Sequence, residues 1–234
     1  MIRAALALTL PLFTLGAALT ALGGRRLEPP ARRARWVKFL VFLLIVHGVL
    51  ALALGGRPAF AALGLTVVLA GGWELDRALL RMGPAARRFR LPAGLVFAAF
   101  FLGCWRRPAQ ITLTCFLAAA AFDGLSQVVG QALGRRPLAP AISPAKTWEG
   151  FAGGMAGAVL AALVLGRAAG QGAGAAALRG LPLGLAALAG DLAGSWIKRR
   201  AGIKDFSTLL PGQGGILDRF GSFMGAVILA GAFL

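Results

Sequence analysis

Long apolar runs alternate with short basic segments along the whole chain. We predict a helix for each run, at about residues 4–23, 37–54, 59–73, 91–105, 109–133, 150–166, 176–197 and 222–234. An apolar helix of about 20 residues crosses the ~30 Å hydrocarbon core of a bilayer, although the fourth and the last run are short for this. The pattern therefore predicts an all-α, polytopic integral membrane protein with about eight transmembrane helices.

The composition agrees with a membrane protein. Of the 234 residues, 58% are hydrophobic and only 14% are charged, whereas soluble proteins carry about 25% charged residues. Because no long polar segment interrupts the runs, we predict a single membrane domain over residues 1–234. Residues 1–110 would form its N-terminal membrane helices, and residues 111–234 its catalytic half with polar loops. Glycines four residues apart in the sixth and seventh runs predict close helix contacts.

The basic residues follow the loops between the runs. The net charge is +17, and membrane topology and anionic lipid headgroups explain this position of the cations better than nucleic acid does. If the N-terminus faces outwards, most of the 25 lysines and arginines lie in loops on one side, beginning with the basic loop at 24–36. The positive-inside rule then predicts that the polar segments, and with them the active site, face the cytoplasm. The expected location is a bacterial-type inner membrane.

Five residues in or beside the runs need separate interpretation. Cys104 and Cys115 are expected to be buried thiols rather than a disulfide or a metal site. A functional role is one interpretation of Glu74 and Asp76, at the end of the third run, but we favour interfacial pairing with Arg77 and Arg81. Asp123 lies inside the fifth run, where a lone carboxylate is costly and indicates a functional group. A structural hydrogen bond to a neighbouring helix is the alternative for Asp123.

The most polar stretch of the chain is residues 191–221, which combines aspartates with lysines, arginines and a glycine-rich turn at 211–215. Carboxylates repel a polyphosphate unless a divalent cation lies between them, and magnesium suits such a site because it takes one or two carboxylates plus phosphate oxygens. Lysine and arginine can hold the remaining phosphate charge. Glycines let backbone N–H groups approach an anion. The alternative is a basic loop that only fixes topology.

Helical spacing brings part of this stretch together. Asp191, Ser195 and Lys198 are four and three residues apart, so they lie on the same face of a helix. A second polar segment precedes the run at 150–166. There Thr147 can cap the helix and Glu149 suits its positive end. A helix start of this kind is a natural phosphate site.

The two polar segments follow a spaced pattern. The later segment reads Ser195-x-x-Lys198-Arg199, Lys204-Asp205 and Pro211-Gly212-x-Gly214-Gly215-x-x-Asp218-Arg219. The earlier segment, downstream of Asp123, reads Gly134-Arg135-Arg136-Pro137-Leu138 and Ser143-Pro144-x-Lys146-Thr147-Trp148-Glu149-Gly150. Over about residues 120–225 the pattern resembles the motif of the phosphatidate cytidylyltransferases (CDP-diacylglycerol synthases). Residues 1–110 are similar to that family only as generic membrane helices.

The resemblance implies an enzyme that transfers CMP from CTP to phosphatidic acid, giving CDP-diacylglycerol and pyrophosphate for phospholipid biosynthesis. It implies Mg2+ as the cofactor, CTP, phosphatidic acid and membrane lipids as partners, and no nucleic acid; it allows a homodimer. Two alternatives remain. One is an enzyme that uses CTP on another lipid, such as a polyprenyl or ether lipid. The other is a silent membrane homologue or a transporter, although the chain has no visible repeat of the kind common in transporters.

The residues expected to carry this reaction are aspartates, basic residues and turn residues of the two polar segments. The expected metal ligands are Asp123, Asp191 and Asp218. The expected catalytic residues are Asp191, Asp218, Lys198, Lys204 and Arg219. The expected substrate-binding residues are Ser143, Lys146, Thr147, Arg199, Gly212, Gln213, Gly214 and Gly215.

Three features depart from the family pattern. Gln213 stands where the family usually has histidine, and Gly221 where it usually has aspartate; the tyrosine that usually follows Asp123 is also absent. Glutamine can donate a hydrogen bond but cannot take up a proton, and glycine supplies no metal ligand. Activity is then either retained on Asp191 and Asp218, or slow or redirected to another substrate. We favour retained activity, because the reaction depends on positioning more than on proton transfer.

Overall fold

The computed structural model describes residues 1–25 and 27–233. Arg26, in the first basic loop, and Leu234, at the end of the last predicted run, lie outside the described residues. The helices are α1 (Ile2–Gly24), α2 (Pro29–Leu52), α3 (Gly56–Arg81), α4 (Arg90–Arg106), α5 (Ala109–Leu133), α6 (Trp148–Ala168), α7 (Ala173–Arg200) and α8 (Ile216–Phe233). Short 3-10 segments at Ala53–Gly55 and Pro84–Phe89 precede α3 and α4.

Six stretches of the described residues are long and apolar enough to cross a membrane. One of them, Pro29–Arg81, is 53 residues long, because the 3-10 turn joins α2 to α3 without an unwound segment. The prediction of an all-α protein of membrane type is confirmed. The predicted number of eight spans is not confirmed.

Helix ends fall where the local sequence requires them. α2 begins at Pro29, whose fixed φ suits the first turn of a helix. Beyond the end of α3, Gly83 has a φ of 88°, a left-handed conformation that glycine adopts without steric cost. α6 begins after Thr147, whose hydroxyl accepts a hydrogen bond from the Gly150 N–H at 3.1 Å. The predicted Thr147 cap is therefore confirmed.

A two-stranded antiparallel hairpin lies between α5 and α6, formed by β1 (Pro137–Ala139) and β2 (Ser143–Thr147). Pro137 is paired with Thr147 and Ala139 with Ser143. These strands were not predicted, because the segment has two prolines within the strands and no alternation of apolar and polar residues. The hairpin matters for the site because β2 carries several of the expected substrate-binding residues.

Small residues allow α5 and α6 to approach closely. A Cβ atom on Gly153 would lie 2.7 Å from the Cβ of Val129, and one on Gly157 would lie 2.7 Å from the carbonyl oxygen of Ala121. Real side-chain atoms do not come so near, so both positions require glycine. The predicted close contact at these two glycines is confirmed.

α7 and α8 also cross with their backbones in contact. A Cβ on Gly190 would lie 3.0 Å from the carbonyl carbon of Gly221, and one on Gly225 would lie 3.4 Å from the Cα of Gly190. At Gly194 the nearest atom, on the Phe206 ring, is 3.6 Å away. The predicted close helix contact is therefore found at Gly190 and not at Gly194. This crossing fixes the end of α7 beside the beginning of α8, where the polar residues gather.

Candidate active site

The candidate site lies where α5, α7, the beginning of α8 and the β1–β2 hairpin meet. Asp218, the third residue of α8, is at its centre, and its side chain is only 1% exposed. Its Oδ2 accepts hydrogen bonds from the N–H groups of Gly215 and Phe206, both at 2.8 Å. A carboxylate at this position completes the helix start, because it satisfies an N–H that has no partner in the helix and meets the positive end of the helix dipole.

Asp218 also ties α8 to α7. Its Oδ1 accepts a hydrogen bond from the ammonium of Lys198 at 2.6 Å, in an ion pair in which the lysine side chain is 16% exposed. The same ammonium lies 5.6 Å from the ring centre of Phe206, a cation–π arrangement. The structure thus brings two of the expected catalytic residues into direct contact.

Asp191 faces the hairpin. Its carboxylate forms an ion pair with Lys146 of β2. Asp123 of α5 is close enough to interact electrostatically with Asp191, Lys146 and Arg219. Asp191 and Lys198 lie on one helix face, as predicted, but each side chain has its partner on a different element. The site therefore contains two separate acid–lysine pairs.

The expected metal ligands fall into two groups. Asp123 and Asp191 lie on neighbouring helices, close enough for their charges to interact, whereas Asp218 is occupied by Lys198 and two backbone N–H groups. Among the described residues, no group of three or more histidine, cysteine, aspartate or glutamate side chains could hold a metal ion. Magnesium needs only one or two protein carboxylates when phosphates and water supply the rest. The donor set of Asp123 and Asp191 fits that requirement.

The glycines of the 211–215 turn are required by the packing of the turn itself. Gly212 and Gly214 have φ values of 69° and 84°, which side chains rarely adopt. A Cβ on Gly214 would also lie 2.7 Å from Oδ2 of Asp218, and one on Gly212 would lie 2.9 Å from Cγ of Lys38. These contacts explain the glycines without a ligand, so the role of the turn in binding substrate stays a prediction.

Gln213 connects the turn to α2. Its side-chain amide donates a hydrogen bond to the carbonyl of Lys38 at 2.6 Å, and its backbone N–H donates to the carbonyl of Leu210 at 2.9 Å. The side chain therefore anchors the turn between α7 and α8 to a helix of the N-terminal half. Its expected role in substrate binding stays a prediction.

The remaining expected residues surround the two pairs. Ser143 begins β2, and Thr147, at the other end of the strand, uses its hydroxyl to cap α6. Arg199 donates from Nε to the carbonyl of Ile142 at 3.1 Å and so holds the hairpin against the end of α7. Two further expected catalytic cations, Lys204 and Arg219, are exposed at the rim.

Glu149 organises the entrance to the hairpin. Its Oε2 accepts hydrogen bonds from the N–H groups of Arg135 and Arg136, at 3.0 and 3.3 Å. The carboxylate thus fixes the backbone that follows α5, in addition to lying at the positive end of α6 as predicted.

Glu74 contributes to the candidate site, although interfacial pairing with arginines was the favoured interpretation of its sequence position. Its interpretation as an interfacial partner of Arg77 or Arg81 is wrong: Glu74 is fully buried and its carboxylate accepts hydrogen bonds from the loop before α8 and from α8 itself. Asp76 does form an exposed ion pair, with Arg90 at 2.7 Å. The rule that made Asp123 a functional candidate, a carboxylate in an apolar helix, could have indicated Glu74 as well.

The two cysteines are as predicted. Cys104 and Cys115 are both buried and both free. They lie in α4 and α5, in the apolar core, and they carry no part of the site.

Comparisons with known proteins point to one family. A family model described as "Cytidylyltransferase family" matches residues 31–234. Phosphatidate cytidylyltransferase of Mycobacterium leprae (strain TN) is 32% identical over 197 residues, which cover 75% of this chain and 63% of the relative. The enzyme of the same name from Brucella abortus (strain 2308) is 34% identical over 194 residues, 80% of this chain and 69% of the relative.

A third match is shorter but has a higher sequence identity. Phosphatidate cytidylyltransferase of Pseudomonas aeruginosa (strain PAO1) is 56% identical over 108 residues, 45% of this chain and 40% of the relative. Taken together, these matches span between 40% and 69% of the length of the relatives. Each match therefore covers a larger share of this chain than of the relative.

Proposed function

This chain belongs to the cytidylyltransferase family, and from that premise we propose that it transfers CMP from CTP to phosphatidic acid. The products are CDP-diacylglycerol and pyrophosphate. The observation that carries the proposal is the pairing of Lys146 with Asp191 and of Lys198 with Asp218 at one junction of α5, α7 and α8. Lysines and carboxylates gathered in this way suit a reaction between two polyanions.

The proposed step is a displacement at the α-phosphorus of CTP. A phosphate oxygen of the lipid forms a new P–O bond to that phosphorus, and the bond to the β-phosphate oxygen breaks, so that pyrophosphate leaves with the electron pair. The lipid phosphate is already an anion, and so the step needs little help from a general base. It needs charge neutralisation and in-line placement of the two substrates.

The residues would divide these tasks. Lys198, with its ammonium fixed by Asp218, would neutralise phosphate charge on the nucleotide, and the exposed cations Lys204 and Arg219 would hold the outgoing pyrophosphate. Lys146 would bind phosphate from the hairpin side. These assignments follow from the position of each cation around the junction.

Magnesium is the proposed cofactor. Asp123 and Asp191 would hold it, since their paired carboxylates supply the hard oxygen ligands that magnesium takes together with phosphates. When bound, the ion would neutralise phosphate charge that the lysines do not reach. Asp218 would act through Lys198 rather than as a direct ligand, because its oxygens already accept three hydrogen bonds.

Two structural observations support retained activity despite the departures at 213 and 221. The amide of Gln213 makes a hydrogen bond to the Lys38 carbonyl, and the ring N–H of a histidine can make the same bond. The backbone at Gly221 already contacts Gly190, so the helix crossing is complete without a side chain at 221. Neither departure removes a contact that holds the two acid–lysine pairs.

We expect purified protein, supplied with CTP, phosphatidic acid and magnesium, to place the α-phosphate of CTP in the lipid fraction. The measurement uses CTP labelled with 32P at either the α- or the γ-position, followed by lipid extraction and chromatography. Label from the α-position alone, with an equal amount of pyrophosphate, supports CMP transfer. Label from the γ-position would instead reveal a CTP-dependent lipid kinase. Polyprenyl phosphate as acceptor tests the alternative lipid class.

We further propose that the site faces the cytoplasm of a bacterial-type inner membrane, because most cations of the chain lie in loops on its side. A single cysteine at Ile203, in a chain whose two buried cysteines are replaced by alanine, should react with a membrane-impermeant maleimide only in inside-out vesicles. The matched control is a cysteine at Arg57, at the beginning of α3 and so at the end away from Glu74. It should react only in right-side-out vesicles. Reaction of the Ile203 variant from the periplasmic side alone would overturn the assignment.

A further inference from the structure

Glu74 is a fully buried carboxylate on α3, far from the predicted catalytic segments in the chain. Its Oε1 accepts hydrogen bonds from the Ser207 hydroxyl at 2.5 Å and from the N–H of Ile216 at 2.9 Å, and its Oε2 accepts one from the N–H of Leu217 at 2.8 Å. The ion pairs among the described residues do not include Glu74. Its charge is therefore matched by hydrogen-bond donors rather than by a lysine or an arginine.

The donors at the beginning of α8 are shared between two carboxylates. Glu74 takes the N–H groups of the first two helical residues, and Asp218 takes that of Gly215, the residue before them. The first N–H groups of a helix have no partner within it, and buried ones are costly when left unmade. Glu74 therefore completes, from another helix, the cap that Asp218 begins.

This division links Glu74 to the reacting residues. Asp218 extends from the helix turn that Glu74 holds, and the other oxygen of Asp218 fixes the ammonium of Lys198. Ser207, in the preceding loop, is held by the same glutamate, as Phe206 is held by Asp218. The loop and the helix start can thus shift only if these shared hydrogen bonds break.

Gly215 is shaped to receive this carboxylate. A Cβ atom on Gly215 would lie 2.7 Å from both Cδ and Oε2 of Glu74, closer than real side-chain atoms approach. Its backbone N–H meanwhile donates to Asp218. The absence of a side chain at 215 thus lets two carboxylates converge on one residue of the turn.

We propose that Glu74 is a positioning residue for CMP transfer, which holds the loop before α8 and the first turn of α8 so that Asp218 presents Lys198 to the nucleotide. This inference rests on the proposed function. Glu74 itself touches no reacting atom in this scheme. Its effect on the reaction passes through the backbone of 215–217.

The first test compares Glu74→Ala, Glu74→Gln and Asp76→Ala. Glu74→Ala should lower kcat about 100-fold, the loss expected for a misplacement of about 1 Å, with a much smaller change in KM for CTP. Glu74→Gln keeps one carbonyl oxygen as acceptor but sets its amide N–H against a donor, so its kcat should fall between those of Glu74→Ala and the wild type. Asp76→Ala removes an exposed carboxylate two residues further along the same helix and should retain the wild-type kcat. A normal kcat in correctly folded Glu74→Ala protein would overturn the proposal.

A mutant cycle separates positioning from general destabilisation. Gly215→Ala should expel the Glu74 carboxylate and reproduce the loss of kcat while leaving Glu74 in the chain. In the double variant Glu74→Ala with Gly215→Ala, the loss should be no greater than in either single variant, because both act on one contact. Losses that multiply would show independent effects and would contradict the proposal. Size-exclusion profiles and thermal unfolding of each variant restrict the comparison to folded protein.

Limited trypsin digestion gives a readout that does not depend on activity. Loss of the Glu74 contacts should accelerate cleavage after the exposed Lys204 in Glu74→Ala but not in Asp76→Ala, as followed by mass spectrometry. If the wild-type protein transfers no CMP, but cleavage is faster in Glu74→Ala than in Asp76→Ala, the proposed function fails. The role of Glu74 in holding the loop before α8 then still stands. If wild-type protein is active and cleavage and kcat are both unchanged in Glu74→Ala, the proposed function stands and the inference on Glu74 fails.

Discussion

Replacement of Asp218 by asparagine is expected to lower lipid-dependent CMP transfer by at least about 100-fold, the usual cost of removing a fixed electrostatic contact from an active site. The carboxylate accepts hydrogen bonds on both oxygens, from Lys198 on one and from two backbone N–H groups on the other. Asparagine has one accepting oxygen, so either orientation of its amide sets an N–H group against another donor. Lys198 also loses the counter-charge that fixes its ammonium.

The matched control is Asp76→Asn. Asp76 also forms an ion pair, with Arg90, but on the surface of α3 and about half exposed; such pairs contribute at most about 1 kcal/mol. The assay is transfer of α-labelled CMP to phosphatidic acid, normalised to the protein that elutes as a folded species in detergent. Near-normal turnover in folded Asp218→Asn protein would remove Asp218 and its lysine from the site.

Replacement of Asp191 by asparagine is expected to raise the magnesium concentration for half-maximal rate by at least about tenfold, since even outer-shell partners of a metal typically change its affinity by that much. Asp191 and Asp123 lie on neighbouring helices, close enough for their charges to interact, and together they are the proposed magnesium ligands. The substitution also leaves Lys146 without its carboxylate partner, which should weaken the hold of the hairpin on α7.

Magnesium titrations distinguish this effect from that of Asp218. Added magnesium should restore part of the rate in Asp191→Asn, because the metal site is weakened but its other ligands remain. The same titration should not restore Asp218→Asn, whose defect lies in the placement of Lys198. Asp123→Asn should behave like Asp191→Asn. An unchanged magnesium curve in Asp191→Asn and Asp123→Asn would place the metal elsewhere.

Much of the fold could be predicted from the sequence because membrane helices leave a local signal. The short run at 91–105 illustrates the limit of that signal. In the structure the 3-10 segment Pro84–Phe89 continues into α4, and together they form a stretch of 23 residues. Hydropathy alone did not include the arginines of that segment, because charged residues at helix ends resemble loop residues.

The candidate site was predictable in its members but not in their pairing. Spacing of four and three residues correctly set Asp191 and Lys198 on one face of α7, because such spacing is a property of the helix itself. Their partners, Lys146 and Asp218, come from a hairpin and from α8. Contacts of this kind depend on tertiary packing. The spacing of residues within one helix gives no information about which other elements pack against that helix.

Glu74 shows why the partner of a charged residue cannot be assigned from its neighbours in the sequence alone. The glutamate lies close to arginines in the sequence, and surface pairing was the simplest interpretation. Its actual donors are 133 to 143 residues away along the chain. An N–H group at the beginning of a helix can be a partner for a buried carboxylate, as a cation can. Because every residue except proline has a backbone N–H, the sequence does not show which one a carboxylate will bind.

The crossing of α7 and α8 has a consequence for how the chain can vary. Gly190 and Gly225 meet backbone atoms of the opposite helix, so substitution there forces the helices apart. At Gly221, by contrast, a Cβ would come no nearer than 3.6 Å to the carbonyl oxygen of Gly190. One helical turn thus contains both a position fixed by packing and a position at which a side chain can be gained or lost while the helices keep their places. A Cβ atom at 221 is therefore compatible with the observed crossing of α7 and α8.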